Sequence, residues 1–138
     1  MSWVIYALLS AFFASLTAIL AKIGVQGVDS NLATAIRTVI ILLFAWGIVF
    51  FQGTTKQITN LSQFSIVFLV LSGVATGLSW LFYFRALQLG NASQVAPIDK
   101  LSIVLTLILS GLILHEKITP SIVFGIILMV TGAIFVIL

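Results

Sequence analysis

The sequence contains no cysteine and very few charged residues. Of its 138 residues, 7% are charged and 62% are hydrophobic. Without cysteine the chain has no disulfide framework, no thiol nucleophile and no cysteine metal site. Soluble domains carry about 25% charged residues, because their surface faces water. The scarcity of charge therefore excludes a water-soluble domain and predicts that lipid surrounds most side chains.

Basic residues and histidine are also scarce, and this excludes further classes of function. The net charge is +3, but the six Lys and Arg residues are scattered and form no basic patch. Nucleic-acid binding is therefore not expected. The single histidine, His115, belongs to no cluster of His, Cys, Asp and Glu at metal or catalytic spacing. We predict no metal site, no cofactor and no enzymatic activity.

Five long apolar runs dominate the sequence. The hydrocarbon core of a bilayer is about 30 Å thick and requires roughly 20 apolar residues in a helix. Ser30 or Asn31 is expected to cap the second helix. Ser93 is expected to cap the fourth, with Pro97 in its first turn. We predict an all-α membrane protein with a single domain, 1–138, and transmembrane helices at residues 3–23, 32–51, 64–89, 95–114 and 120–138.

The distribution of Lys and Arg says little about orientation. Five spans place the termini on opposite sides of the membrane. The side with the N-terminus has two Lys or Arg residues and the other side has four. Three of those four, Arg37, Arg85 and Lys100, lie inside or close to the helices and are poor topogenic signals. Two arrangements stay open: one orientation with the more basic side in the cytoplasm, or both orientations with antiparallel pairing of two copies.

Polar residues form stripes on two of the predicted helices. A spacing of three or four residues places each stripe on one helix face. Such residues either pack helices together or line a solute path. In the same region, Trp80, Tyr83 and Phe84 form either an interfacial aromatic belt or an apolar wall for a ligand. The stripe of the third helix is Ser72, Thr76, Ser79 and Tyr83, and that of the fourth is Asp99, Ser102, Thr106 and Ser110.

Charged residues within or beside the spans are further candidates for a solute path or gate. A charge at the centre of a membrane helix costs about 2.5–3.5 kcal/mol. The short side chain of Asp99 cannot reach the headgroups, so a partner is expected, and Arg37 or Arg85 is suggested. Asp99 and Glu116 are the candidates for a coupling carboxylate, although Glu116 is also explained as a loop residue. The basic candidates are Lys22, Arg37, Arg85 and Lys100.

The order of several short motifs resembles the EamA-type transporters of the drug/metabolite transporter superfamily. The segment SLTAILAKIGVQGVDSNLATAIRT places Lys22 and Arg37 as in that family, and FRALQLGNASQVAPIDKLSIVLTLILSGLILHEKIT follows from Phe84 to Thr119. The resemblance implies a multi-pass inner-membrane carrier. Many members carry two five-helix repeats around a central cavity, whereas this chain carries one EamA-like repeat. The resemblance therefore implies that a second, inverted copy completes a ten-helix homodimer.

The predicted function is secondary transport of a small metabolite or drug-like solute by alternating access. Its partners are then the lipid bilayer, the solute and a second copy of the chain. The alternative is a non-transporting membrane subunit that uses the polar faces of its third and fourth helices to bind a different protein. The related small multidrug resistance family is disfavoured, because it uses a carboxylate in the first helix and this chain has none there.

Overall fold

The computed structural model describes residues 2–138, and within that range the regular structure is entirely helical. Five segments have the length and hydropathy of membrane spans: Trp3–Gly24, Ser30–Phe51, Gln63–Leu89, Ala92–Ile113 and Pro120–Ile137. The predicted five-span, all-α architecture is therefore confirmed. The helices are α1 (Ser2–Gly24), α2 (Ser30–Gln52), α3 (Gln63–Leu89), α4 (Ala92–Asp99), α5 (Ser102–Ile113) and α6 (Pro120–Ile137).

The start of α2 differs from the prediction in its capping residue. Asp29, rather than Ser30 or Asn31, occupies the N-cap position. Its Oδ1 atom accepts hydrogen bonds from the backbone N–H groups of Asn31 at 2.9 Å and Leu32 at 3.1 Å. Aspartate caps as well as serine or asparagine, and its negative charge is favoured at a helix N-terminus. Ser30 is instead the first residue of the helix and is buried.

A glycine ends α2 and turns the chain back along it. Gly53 has φ 66 and donates its backbone N–H to the carbonyl of Phe50 at 3.1 Å. The next segment, predicted as a plain loop, forms a 3₁₀ helix, Thr54–Asn60, in contact with α2. Ile58 from this segment and Trp46 from α2 line a cleft of about 280 Å³. These apolar residues hold the connection against α2.

Substituting Gly53 should destabilise the protein through this turn. A side chain at a positive φ costs roughly 1–2 kcal/mol, because Cβ then crowds the carbonyl oxygen. We expect Gly53→Ala to lower the unfolding temperature in detergent. Gly47→Ala is the matched control, because Gly47 lies inside α2 with no atom within 4 Å of an added Cβ. That variant should be neutral or stabilising. Equal losses in both variants would contradict this account of the turn.

Residue contacts divide the chain into two compact units, each with its own buried residues. One unit is Ile19–Gln88, which contains the end of α1, all of α2 and nearly all of α3. Its buried residues lie where α1 ends, α2 begins and α3 ends. Leu87 is 0% exposed and Val25 is 1% exposed, so this end of the unit is closely packed. The buried residues of the unit are Ala21, Val25, Ser30, Thr34, Phe84 and Leu87.

The other unit comprises the described residues through Ala18 together with Leu89–Leu138. Within it α4 contacts α6, and each helix has one buried residue, Val95 on α4 and Ala133 on α6. An apolar cleft of about 240 Å³ lies between the two helices and is lined by Pro97, Lys100 and Ala133 among others. The rest of α4–α6 is largely exposed, as expected for helices whose solvent is lipid or another chain.

The fourth span is broken, which the sequence did not predict. Lys100 and Leu101 lie in a turn between α4 and α5. There the backbone hydrogen bonds join residues three apart, as in a 3₁₀ helix, rather than four apart. The N–H of Leu101 donates to the carbonyl of Ile98 at 2.9 Å, and that of Val104 donates to the carbonyl of Leu101 at 3.0 Å. Such a 3₁₀ stretch inside a helix is a common place for a functional hinge. We call this turn, with the preceding Asp99, the helix break.

The start of α4 is also a correction. The helix begins at Ala92 with Asn91 in the N-cap position and with no side-chain cap bond, so Ser93 is not the cap. Pro97 consequently lies inside α4 rather than in its first turn. A proline there cannot donate to the carbonyl of Ser93, four residues earlier, and its ring crowds that carbonyl. Pro97 therefore weakens the helix one turn before the break.

Candidate functional site

An intramembrane arginine stacks on two aromatic rings in the unit Ile19–Gln88. The guanidinium carbon of Arg37 lies 4.4 Å from the ring centre of Trp80 and 5.2 Å from that of Phe84. Trp80 and Phe84 are four residues apart on α3, so they lie on one helix face. A cation within about 6 Å of a ring is attracted by its electron-rich face. We call Arg37, Trp80 and Phe84 the arginine–aromatic cluster.

The position of the cluster along the helices follows from the chain. Arg37 is seven residues after Ser30, so its backbone lies about 10.5 Å along α2 at 1.5 Å per residue. Phe84 is buried, and Arg37 and Trp80 are half-buried. The ring of Tyr83 lies 6.5 Å from that of Phe84 in an edge-on arrangement. An interfacial aromatic belt would not by itself require a cation in contact with the rings of Trp80 and Phe84.

Two long polar side chains close the same end of this unit. Lys22 donates from Nζ to the carbonyl of Leu87 at 2.6 Å, and Gln88 donates from Nε2 to the carbonyl of Val28 at 2.9 Å. The last four carbonyls of a helix have no partner within it, and a cation is favoured there. Lys22 thus caps α3. Arg85 is exposed and donates to Oε1 of Gln88 at 2.8 Å.

Removing the charge of Lys22 should destabilise this packing. A hydrogen bond to a charged group contributes on the order of 1.5–3 kcal/mol. We therefore expect Lys22→Met to lower the unfolding temperature measurably in detergent. Lys56→Met removes an equal charge from the exposed 3₁₀ helix and is the control, with little expected change. If the two variants unfold at the same temperature, Lys22 does not hold α3 as described.

The acidic candidate Asp99 lies at the helix break, in the other unit. Its Oδ2 atom is 3.1 Å from Nζ of Lys100. Among the described residues this is the only salt bridge, and its two partners are adjacent in the sequence. The side chain of Asp99 is 36% exposed and that of Lys100 is 63% exposed, so the pair is open to its surroundings. The arginine partner suggested from the sequence stays a prediction.

The polar stripes are mostly exposed, with hydroxyls that bond to their own helices. Ser72, Thr76 and Ser79 are exposed on α3, and Oγ1 of Thr76 donates to the carbonyl of Ser72 at 2.8 Å. Ser102 and Thr106 repeat this arrangement on α5, at 3.0 Å. Because these threonine hydroxyls are satisfied within each helix, both faces are free to meet lipid, a solute or a second chain.

Two further sequence candidates lie near the end of α5. Ser110 is half-buried and donates from Oγ to the carbonyl of Leu107 at 3.1 Å. Its own carbonyl accepts from the backbone N–H of Glu116 at 3.2 Å, across a turn in which His115 has φ 54. Glu116 is exposed in this turn. The structure thus gives Glu116 a backbone role in ending α5, whereas its role in coupling stays a prediction.

Gln88 is a residue of the site that is not among the candidates predicted from the sequence. Phe84, which the sequence groups with Trp80 and Tyr83, completes the cluster one helical turn after Trp80. Gln88 connects Arg85 to the carbonyl of Val28. A polar residue in the last turn of an apolar helix, three places after an arginine, is the signal that could have identified Gln88.

Comparison with known proteins extends over the whole chain. The EamA-like transporter family matches residues 1–138. The chain belongs to the EamA-like transporter family. A relative from Sinorhizobium sp, described as "Uncharacterized transporter in cobO 3'region", is 48% identical over 133 residues, which is 96% of this chain and 94% of the relative. No solved structure shows significant similarity. The expectation from the motif order is thus confirmed, and the chain is a multi-pass membrane protein of a transporter family.

Proposed function

We propose that two copies of this EamA-like chain pair antiparallel to form a secondary transporter. It moves a small metabolite or drug-like solute across the inner membrane by alternating access, and it carries out no enzymatic reaction. The observation that carries this proposal is the helix break in the fourth span, which contains the charged pair Asp99 and Lys100. Transporters typically build solute and ion sites from discontinuous membrane helices, because unwound backbone offers polar groups at membrane depth.

The proposal of a homodimer is supported by the number of spans and by the weak charge bias. The chain has five spans, and inverted five-span repeats are a common way to build a transporter. Three of the four Lys and Arg residues on the more basic side lie in or close to helices, so the charge bias is weak and either orientation is accessible. In addition, Gly73 and Gly77 on α3 have no atom within 4 Å of an added Cβ, so this small-residue face is free to receive another helix.

The path proposed for the solute follows α1, α3 and the fourth span. Asp99 at the break is the carboxylate that would couple transport to protons, and Lys100 is its salt-bridge partner at 3.1 Å. The polar stripes of α3 and α5 would form the wall. Ser72 is the first stripe residue on α3 and Ser102 is the first on α5, and both are exposed in the single chain. Intramembrane polar residues usually face a bundle interior or a water-filled cavity.

Reconstitution with a mixture of candidate solutes tests the proposal. Purified protein in liposomes would be loaded with a defined mixture of amino acids, organic acids, sugars and quaternary ammonium compounds. Efflux would be followed by mass spectrometry against protein-free liposomes. We expect efflux of one class to be protein-dependent and to saturate with concentration. If folded protein moves no class and instead isolates with a different membrane protein in mild detergent, the proposal is wrong and the chain is a subunit.

A further inference from the structure

We propose that the arginine–aromatic cluster binds an anionic group of the transported solute, a carboxylate or a phosphate, with the apolar part of the solute against Trp80. This names the substrate class of the proposed transporter and rests on that function. The starting observation is a cation inside the membrane span that stacks on rings and has no carboxylate within ion-pair distance among the described residues.

The charges of the unit Ile19–Gln88 leave Arg37 without a counter-charge in that part of the chain. The unit has four cationic residues and a single acidic one, Asp29. The carboxylate of Asp29 accepts two backbone N–H groups at the start of α2 and acts there as a cap. A charge taken into a membrane is costly unless it is paired or reaches water. An anion supplied by the solute is the missing partner.

No carboxylate among the described residues lies within ion-pair distance of Arg37, so its N–H donors are available to an anion. The guanidinium carbon of Arg37 lies 4.4 Å from the ring centre of Trp80 and 5.2 Å from that of Phe84. The N–H donors of arginine lie in the plane of the group, and two of them match the two oxygens of a carboxylate or phosphate. An anion can therefore bind Arg37 through these donors while the two rings remain in contact with the cation.

The surroundings of the cluster favour an organic anion over a simple ion. Trp80 is half-buried, so part of its surface remains accessible. An apolar group attached to the anion can lie on this ring, as ligand sites usually combine an apolar wall with a few fixed polar groups. Lys22 and Arg85 belong to the same unit and add to its positive charge, which disfavours cationic solutes.

Trp80 is itself a reporter for the test. The chain has three tryptophans, so Trp3→Phe with Trp46→Phe leaves Trp80 alone. The fluorescence of this full-length variant in neutral detergent would be titrated with benzoate, phenyl phosphate, benzyl alcohol and benzylamine. These probes share one ring and differ in charge. We expect saturable changes with the two anions and none with the neutral or cationic probe.

Variants of Arg37 separate binding from folding. Arg37→Gln should weaken benzoate binding on the order of 100-fold, the usual loss when one partner of a desolvated charge pair is truncated. Arg37→Lys keeps the charge and the ring contact but loses the two-pronged edge, so it should bind with intermediate affinity even if Arg37→Gln fails to fold. Lys56→Gln removes a charge outside the cluster and should bind as the parent does. Equal binding by all variants would overturn the assignment.

Lipid supplies the second possible source of an anion, and it is tested directly. The titration would be repeated in nanodiscs of phosphatidylcholine alone and with phosphatidylglycerol. We expect benzoate to bind in both. If phosphatidylglycerol alone alters Trp80 fluorescence and abolishes benzoate binding, the anion is a lipid headgroup and the assignment to the solute is overturned.

The efflux assay distinguishes failure of this inference from failure of the proposed function. Transport of neutral or cationic solutes that Arg37→Gln leaves intact would refute the anion site and keep the transporter. Saturable, Arg37-dependent anion binding without any efflux would keep the site and refute the transporter. A response to benzyl alcohol as large as that to benzoate would show that the cluster is only a contact between α2 and α3.

Discussion

Asp99→Asn is expected to reduce solute flux by on the order of 100-fold while the amount of folded protein stays unchanged. Asparagine keeps the size of the side chain but neither carries charge nor takes up a proton. It therefore removes the ion pair with Lys100, 3.1 Å away, and the proposed coupling together. Catalysed transport steps that depend on one ionisable group lose orders of magnitude in rate when that group is removed.

The chain provides a matched control for this substitution. Asp29→Asn removes the same charge at the start of α2, where asparagine caps a helix as well as aspartate does. Its flux should equal that of the parent. The measurement is efflux from liposomes that contain equal amounts of each variant. Normal flux by Asp99→Asn would remove Asp99 from the mechanism, and an equal loss in both variants would point to general charge loss instead.

Pro97→Ala is expected to make the protein more stable and the transporter slower. Proline in a helix interior costs roughly 3 kcal/mol relative to alanine, because it lacks an N–H group and crowds the preceding turn. Alanine at this position can donate to the carbonyl of Ser93 and stiffen α4 up to the helix break. If bending at the break accompanies alternating access, flux should fall at least about tenfold while the unfolding temperature rises.

The second of the two prolines is the control for this effect. Pro120 is the first residue of α6, where its missing N–H has no partner to lose. Pro120→Ala should change neither stability nor flux by much. Unfolding in detergent and efflux from liposomes measure the two quantities on the same preparations. If Pro97→Ala were stabilised and fully active, motion at the break would have no part in transport.

The number and approximate bounds of the spans could be predicted because the bilayer dictates them. A run of about 20 apolar residues has one stable conformation in hydrocarbon, a helix that satisfies its own backbone. The predicted span 64–89 therefore agrees with α3, Gln63–Leu89, to within one residue. The free-energy differences between N-cap residues are much smaller. Aspartate, serine and asparagine cap almost equally well, so the sequence alone does not distinguish Asp29 from Ser30 or Asn31.

The helix break was not predicted, because its cause is spread over several residues. Lys100 and Leu101 are ordinary helix formers, so neither marks a turn. Pro97 is the residue that could indicate the break. With Ser93 as the expected cap, however, Pro97 falls in the first turn of the helix, where proline is tolerated. The helix begins at Ala92, and that difference moves the same proline into the helix interior.

The arginine–aromatic cluster could be predicted only in part. The intramembrane position of Arg37 and the spacing of Trp80 and Phe84 are evident in the sequence. Their contact is not, because it depends on how α2 and α3 turn toward each other, and more than forty residues separate Arg37 from Trp80. The sequence of an apolar helix says little about how the helix is rotated about its own axis, because any apolar face can be in contact with lipid.

Sidedness is the measurement that tests the proposed inverted homodimer most directly. The native chain has no cysteine, so single cysteines can be introduced at Gln26 and Asn60. Both residues are exposed, and they lie beyond opposite ends of α2. Intact cells would be labelled with a membrane-impermeant thiol reagent and labelled again after permeabilisation. Dual orientation predicts that about half of each cysteine reacts from outside. Full reaction at one position and none at the other would mean a single orientation and would contradict the antiparallel pair.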